Sequence, residues 1–195
     1  MMCGKPFKPN DCKQEPMPIP NLIKGQCPIR ANVIWVGDFT HVVFFGRCLY
    51  IATIMDLYTR EILGWHVAWH HTTDIIVQAF EDAVRRRKQT PLIFHSDQGS
   101  EYVSGTYSEL LQSKNVQISF SKKASLWKNG HQESWNGQFK LELGEPNRFA
   151  MVEQLIEAIH RQMYYYNHRR IHTSLKMSPQ QFYALKTSQP APMPV

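Results

Sequence analysis

Between residues 33 and 69, three apolar runs of strand length follow one another: 33–40, Leu49–Met55 and Ile62–Trp69. The link Asp56-Leu57-Tyr58-Thr59-Arg60 is a tight connection, so the second and third runs read as an antiparallel hairpin. Residues 73–88 then set Ile76, Phe80, Ala83 and Val84 on one side of a helix that ends in Arg85-Arg86-Arg87-Lys88, charges that suit a helix C-terminus. A strand at 92–95, a helix at about 104–113 and a short strand at 116–120 follow. This βββαβαβα order predicts an α/β fold, a mixed five-stranded sheet flanked by helices. A sheet covered on both faces accounts for the near-continuous apolar runs.

Asp38 lies inside the first of these runs, Val33-Ile34-Trp35-Val36-Gly37-Asp38-Phe39, which is too apolar for a surface strand. A carboxylate there is costly to ionise unless it meets a metal, an Arg or a Lys. Leu92-Ile93-Phe94 delivers His95-Ser96-Asp97 to a Gly-containing turn, so a second acid stands just past the end of a buried strand. Glu133 comes after residues 98–132, near the start of a helix that Asn129 can cap with Gln132 reaching back. On that helix Trp135, Phe139 and Leu143 form the buried stripe, while Asn129, Glu133, Gly137 and Lys140 share another face. An acid for metal and a Lys for phosphate, two turns apart, suit a nucleic-acid backbone, and a solvated polar face is the bland alternative. Asp56 sits in a turn, where a structural role is favoured.

The segment 121–128, with Lys122, Lys123 and Lys128, is polar, basic and without periodicity, and reads as a mobile loop beside the acids. A long amphipathic helix is expected over 148–168 through Phe149, Val152, Ile156, Ile159, Met163 and Tyr166. It ends in a basic, aromatic stretch, Tyr164 to His172, where Arg169, Arg170 and His172 could hold phosphates or simply cover a packed helix end. Residues 1–30, rich in Pro and Lys, read as an arm or linker, 31–186 as the core with a helical extension, and 187–195 as a Pro-rich tail.

Apolar residues make up 43% and charged residues 19%, which argues against disorder. The net charge of +6 around an acidic pocket suits a polyanion that must approach carboxylates. Neither a membrane-spanning stretch nor a signal-peptide pattern is present, and Cys3, Cys12, Cys27 and Cys48 form no CxxC pair, so reduced thiols in a cytoplasmic protein are expected. Two other constellations are weaker. His95-Ser96-Asp97 has the residue types of a hydrolytic triad, but strand neighbours point apart. His168-x-x-x-His172 has helical zinc spacing but lacks a suitably placed Glu or a Cys partner.

Several segments, in order between residues 20 and 183, resemble the DDE transposases and retroviral integrases, above all the orfB-type transposases of bacterial insertion sequences. They are Trp35-Val36-Gly37-Asp38-Phe39-Thr40, Asp56-Leu57 through Gly64-Trp65, His95 to Tyr102, Glu133-Ser134 with Lys140, and Tyr166-Asn167 through Arg170-x-His172. The resemblance implies a ribonuclease H-like core and metal-dependent polynucleotidyl transfer by an Asp-Asp-Glu triad. Asp38 would bridge two Mg²⁺ ions, with Asp97 completing one site and Glu133 the other, and Mn²⁺ able to substitute. It implies DNA contacts from Lys122, Lys123, Lys128, Lys140, Arg169, Arg170 and His172, with His95, Asn129 and Asn167 in support. The partners implied are DNA, as element ends and target, further copies of the chain on that DNA, and an upstream recognition subunit or domain, in the bacterial cytosol or nucleoid.

Two departures stand out. Lys128-Asn129-Gly130 replaces an Asp-Asn-Ala type segment, removing one negative charge beside the metals, and the helix-turn-helix region that precedes such a core is not in this sequence. A remnant that binds DNA without catalysis, and a general ribonuclease H-like nuclease, are the alternatives.

Overall fold

A computed structural model describes residues 19–23, 28–97, 99, 102, 104–121 and 130–188, with the backbone alone for 130–133. Its strands are β1 (Ile34–Phe44), β2 (Arg47–Asp56), β3 (Ile62–Ala68), β4 (Ile93–Ser96) and β5 (Gln117–Phe120). The helices are α1 (Thr73–Arg87), α2 (Gly105–Ser113), α3 (Gly130–Leu143), α4 (Val152–His168) and α5 (Pro179–Ser188). The sheet order is β3-β2-β1-β4-β5, antiparallel through β3, β2 and β1 and parallel from β1 to β4 to β5. This is the mixed five-stranded, ribonuclease H-like sheet expected from the sequence.

Successive side chains of a strand face opposite ways, and β1 uses this to seed two cores. Ile34, Val36, Val42 and Phe44 pack under α3 and α4 with Trp135, Phe139, Leu155 and Ile159. On the other face Trp35 packs with Phe80 of α1, Phe94 of β4 and Tyr107 of α2. Two glycines permit close approach on this second face. A Cβ on Gly64 would lie 2.0 Å from the Ala79 carbonyl oxygen of α1, and one on Gly37 would lie 2.5 Å from Cζ of Phe94.

Most boundaries move by a residue or two, and three differences have a local physical cause. β1 runs on to Phe44 and turns into β2 through Phe45 and Gly46, both at positive φ (44° and 77°), the backbone that a two-residue hairpin requires. The long helix begins at Val152 and not at 148. Pro146–Arg148 form a 3₁₀ turn capped by the Glu145 carboxylate, and Met151 is extended at the N-cap of α4. α5 reaches Ser188, with the Thr187 hydroxyl donating to the Tyr183 carbonyl. Among the described residues no helix is long and apolar enough to cross a membrane.

Ile19–Ile23, within the expected arm, lie along the free edge of β5. The Phe120 amide donates to the Pro20 carbonyl at 3.4 Å. Ile19 packs on the α1 and α2 face, and Ile23, 9% exposed, on the α3 and α4 face.

Candidate active site

β1 and β4 are parallel neighbours with Val36 opposite His95. Two residues further along each chain stand Asp38 and Asp97, so the register carries both acids to the same end of adjacent strands. Asp38 is half-buried on the α3 side of β1. Its Oδ1 accepts the Phe39 amide at 2.9 Å, and its Oδ2 accepts Nδ2 of Asn136 at 2.7 Å. Asp97 is exposed, and its Oδ1 accepts the Gly99 amide at 3.0 Å, a local bond that fixes the carboxylate to its own turn.

Glu133 lies in α3, three residues before Asn136, which is one helical turn and the same face. Trp135, Phe139 and Leu143 anchor that helix, each 5% exposed or less. The predicted stripe is therefore the buried one, and Lys140 is exposed near the helix end. Lys122, Lys123, Lys128 and Asn129 lie outside the described residues.

His95 is buried, with Nδ1 2.9 Å from the Ser119 hydroxyl, and the Ser96 hydroxyl donates to the Asp97 carbonyl at 3.1 Å. The three neighbours thus do not assemble as a hydrolytic triad. Nor do His168 and His172 share a ligand set. His168 stacks on Tyr164 at 4.0 Å, and Nδ1 of His172 meets the Ser174 hydroxyl at 3.0 Å.

Asn167 at the end of α4 is buried and pairs with β3 as a strand residue would. Its Nδ2 donates to the Ile62 carbonyl at 2.8 Å and its Oδ1 accepts the Ile62 amide at 2.9 Å. Beside it the Tyr166 hydroxyl donates to the Arg60 carbonyl at 3.0 Å, and burial raises that phenol well above the usual range. These bonds fix where the chain leaves α4 and therefore where Arg170 and His172 stand. Both line a cleft of about 220 Å³ with Ser134, Trp135 and Gln138 of α3. The structure thus joins two distant motifs, since Ser134 adjoins Glu133.

Arg170 is ion-paired with Glu142, whereas Arg169 is exposed. Burial, then Arg60 and Arg170, lower the pKa of His172.

Asp56 takes the structural role. Fully buried, it accepts the amides of Asn32, Tyr58 and Thr59 at 2.6 to 2.9 Å. Two residues of consequence were not singled out from sequence, Asn136 and Ser119. Helical spacing from Glu133 could have found the first, and the strand pairing of Ser119 with His95 the second.

A model described as Integrase core domain matches residues 28–125, and a second with the same description matches 114–179. The chain is 34% identical over 152 residues to the protein assigned as transposase to insertion sequence element IS986/IS6110 of Mycobacterium tuberculosis, covering 74% of this chain and 55% of that protein. It is 32% identical over 170 residues to the transposase for insertion sequence element IS904 of Lactococcus lactis, covering 84% and 66%. The chain therefore spans only about half to two thirds of these relatives. The HTLV-2 integrase catalytic core domain, solved in complex with magnesium in a trimeric form, superposes with a TM-score of 0.66 at 19% identity, over 80% of this chain and 98% of that one. By these matches, and with the mixed five-stranded sheet they share, this chain belongs to the integrase core domain family of DDE transposases and integrases.

Proposed function

We propose that Asp38, Asp97 and Glu133 hold two Mg²⁺ ions for cleavage at the 3′ end of an insertion element and for transfer of that strand to target DNA. The observation that supports this reading is the β1 and β4 register, in which Asp38 and Asp97 each follow the Val36–His95 pair by two residues at the same end of adjacent strands. The donor set fits the metal, because the three residues offer only oxygen, and the exposure of Asp97 leaves room for the waters Mg²⁺ retains. When bound, such a pair supplies an activated hydroxyl, a stabilised leaving oxygen and neutralised phosphate charge.

The chain's own residues do the rest. Asn136 holds one oxygen of Asp38 and orients the carboxylate. Lys140 and Arg169 offer cations to the DNA backbone, and Arg170 and His172 line the cleft beside α3. Lys122, Lys123 and Lys128 are proposed as further DNA contacts and Asn129 as a supporting residue. Phosphate contacts set register without reading sequence, so recognition of element ends is assigned to an upstream domain or subunit, with several copies of the chain assembled on paired ends.

The test offers labelled terminal-repeat DNA and a target plasmid with Mg²⁺ or Mn²⁺. End cleavage followed by joining supports the reading. Cleavage by water without joining would identify a ribonuclease H-like nuclease, and DNA binding without either would identify a non-catalytic remnant. Binding by this chain alone should be weak, little dependent on sequence and steeply reduced by salt.

A further inference from the structure

The catalytic acids are reached from a side that the reading above leaves unused. His95 and Ser119 are directly paired across β4 and β5, both are fully buried, and Nδ1 of His95 lies 2.9 Å from the Ser119 hydroxyl. The same hydroxyl oxygen accepts the Leu22 amide at 2.9 Å, across 97 positions of sequence. The hydroxyl can accept the Leu22 amide and still share a hydrogen bond with Nδ1, in the direction set by the imidazole tautomer. One buried hydroxyl thus joins the connector before the core to β4, two residues before Asp97.

The connector is held on both sides of this junction. Ile19 packs on one face of the sheet and Ile23 on the other, so the segment straddles the edge of β5. Just beyond, the Ser121 amide donates to the Ser96 carbonyl at 3.0 Å, closing the ends of β4 and β5 together. Asp97 follows β4 by one residue, and the chain after β5 leads to α3 and Glu133.

We propose that Ser119 and His95 are positioning residues that couple the connector Ile19–Ile23 to Asp97, so that a segment carried upstream of Ile19 sets how firmly this acid is presented to metal. The proposal rests on the reading of Asp97 as a metal ligand. Seated, the connector satisfies the hydroxyl that orients His95 and stiffens the end of β4. Lifted, it leaves that hydroxyl short of its donor and frees the turn after Ser96.

Two variants break the link at different atoms. Ser119→Ala removes the shared hydroxyl, and Leu22→Pro removes the connector's N–H while leaving that hydroxyl in place. Three measurements on the whole chain are compared: the thermal midpoint without metal, hydrogen exchange of the Gly99 amide that Asp97 holds, and Mn²⁺ affinity by electron paramagnetic resonance without DNA. Both variants are expected to speed Gly99 exchange several-fold while Ile51 in the central sheet stays slow, and to weaken Mn²⁺ binding about tenfold, as loss of an outer partner does. Unchanged Gly99 exchange and Mn²⁺ affinity in both variants would overturn the proposal, as would equal acceleration at Gly99 and Ile51, which marks general destabilisation. Asp97→Asn separates the two readings. If it abolishes Mn²⁺ binding while Ser119→Ala and Leu22→Pro leave it intact, only the coupling fails. If Asp97→Asn itself binds Mn²⁺ as the parent does, the ligand reading fails and the coupling loses its object.

Discussion

Asp38 and Asp56 are two carboxylates of one hairpin, three residue pairs apart along the β1 and β2 register, where Trp35 stands opposite Asp56 and Asp38 opposite Thr53. Asp56 is sealed and accepts three backbone amides, those of Tyr58 and Thr59 in its own turn and that of Asn32 before β1. Asp38 is half-buried and leans on one backbone amide and one side-chain amide from a different element. Backbone donors of the turn cannot withdraw without unfolding it. A side-chain amide on α3 can yield to a ligand. The difference teaches how to tell a structural acid from a reactive one: the identity of the partners decides, and depth of burial does not.

The comparison can be broken most directly at Asp38. Asp38→Asn should lower Mg²⁺-dependent DNA cleavage by more than about a thousandfold, some 4 kcal/mol in the barrier, with an unchanged thermal midpoint. Cleavage at parental rate would move Asp38 into the structural class. Asp56→Ala should do the opposite, lowering folding stability by roughly 3 kcal/mol because three amides lose their acceptor. Urea unfolding checks it, and a midpoint within error of the parent would remove the contrast.

A finer probe is Asn136→Ala, which deletes the yielding partner. It should raise the Mg²⁺ concentration for half-maximal cleavage by about three- to tenfold, in line with one hydrogen bond of ~1 kcal/mol, while stability changes little. The smallest effect is expected at Lys140, on the solvent side of the same helix. Lys140→Ala should weaken DNA binding by about fivefold and reduce the salt slope by about one, with metal affinity untouched. Equal affinities across a salt titration would leave Lys140 as a solvated residue.

The sheet was legible in the sequence because strand period and turn chemistry agreed from 33 to 69, and helix and strand lengths alternated cleanly after that. The hairpin end at Phe45 was not, since a two-residue turn at positive φ is usually announced by Asn or Gly in its first position. The start of α4 was misjudged because Phe149 continues the apolar stripe while Pro146 holds the preceding residues in a 3₁₀ turn. At the site, Asp38 and Asp97 could be read from acids placed within or just after apolar strands. Asn136 and Ser119 carried a weaker signal, because a neutral amide or hydroxyl means little until its partner across the fold is known. Asn167 was expected to support the site; in the fold it bonds β3, a pairing that only the position of Ile62 reveals.

That last pairing makes α4 a measuring rod. Its far end is locked to the sheet by one amide group, so the number of residues between Met151 and Asn167 sets the rotational phase at which the chain departs toward Arg170. Adding or deleting one residue in α4 would turn Asn167 by about 100° away from Ile62 and carry the arginine off the rim of the α3 cleft. Substitutions along the exposed side of that helix are tolerable, whereas changes of length are not, except in whole turns that would also shift the helix along its axis by about 5.4 Å.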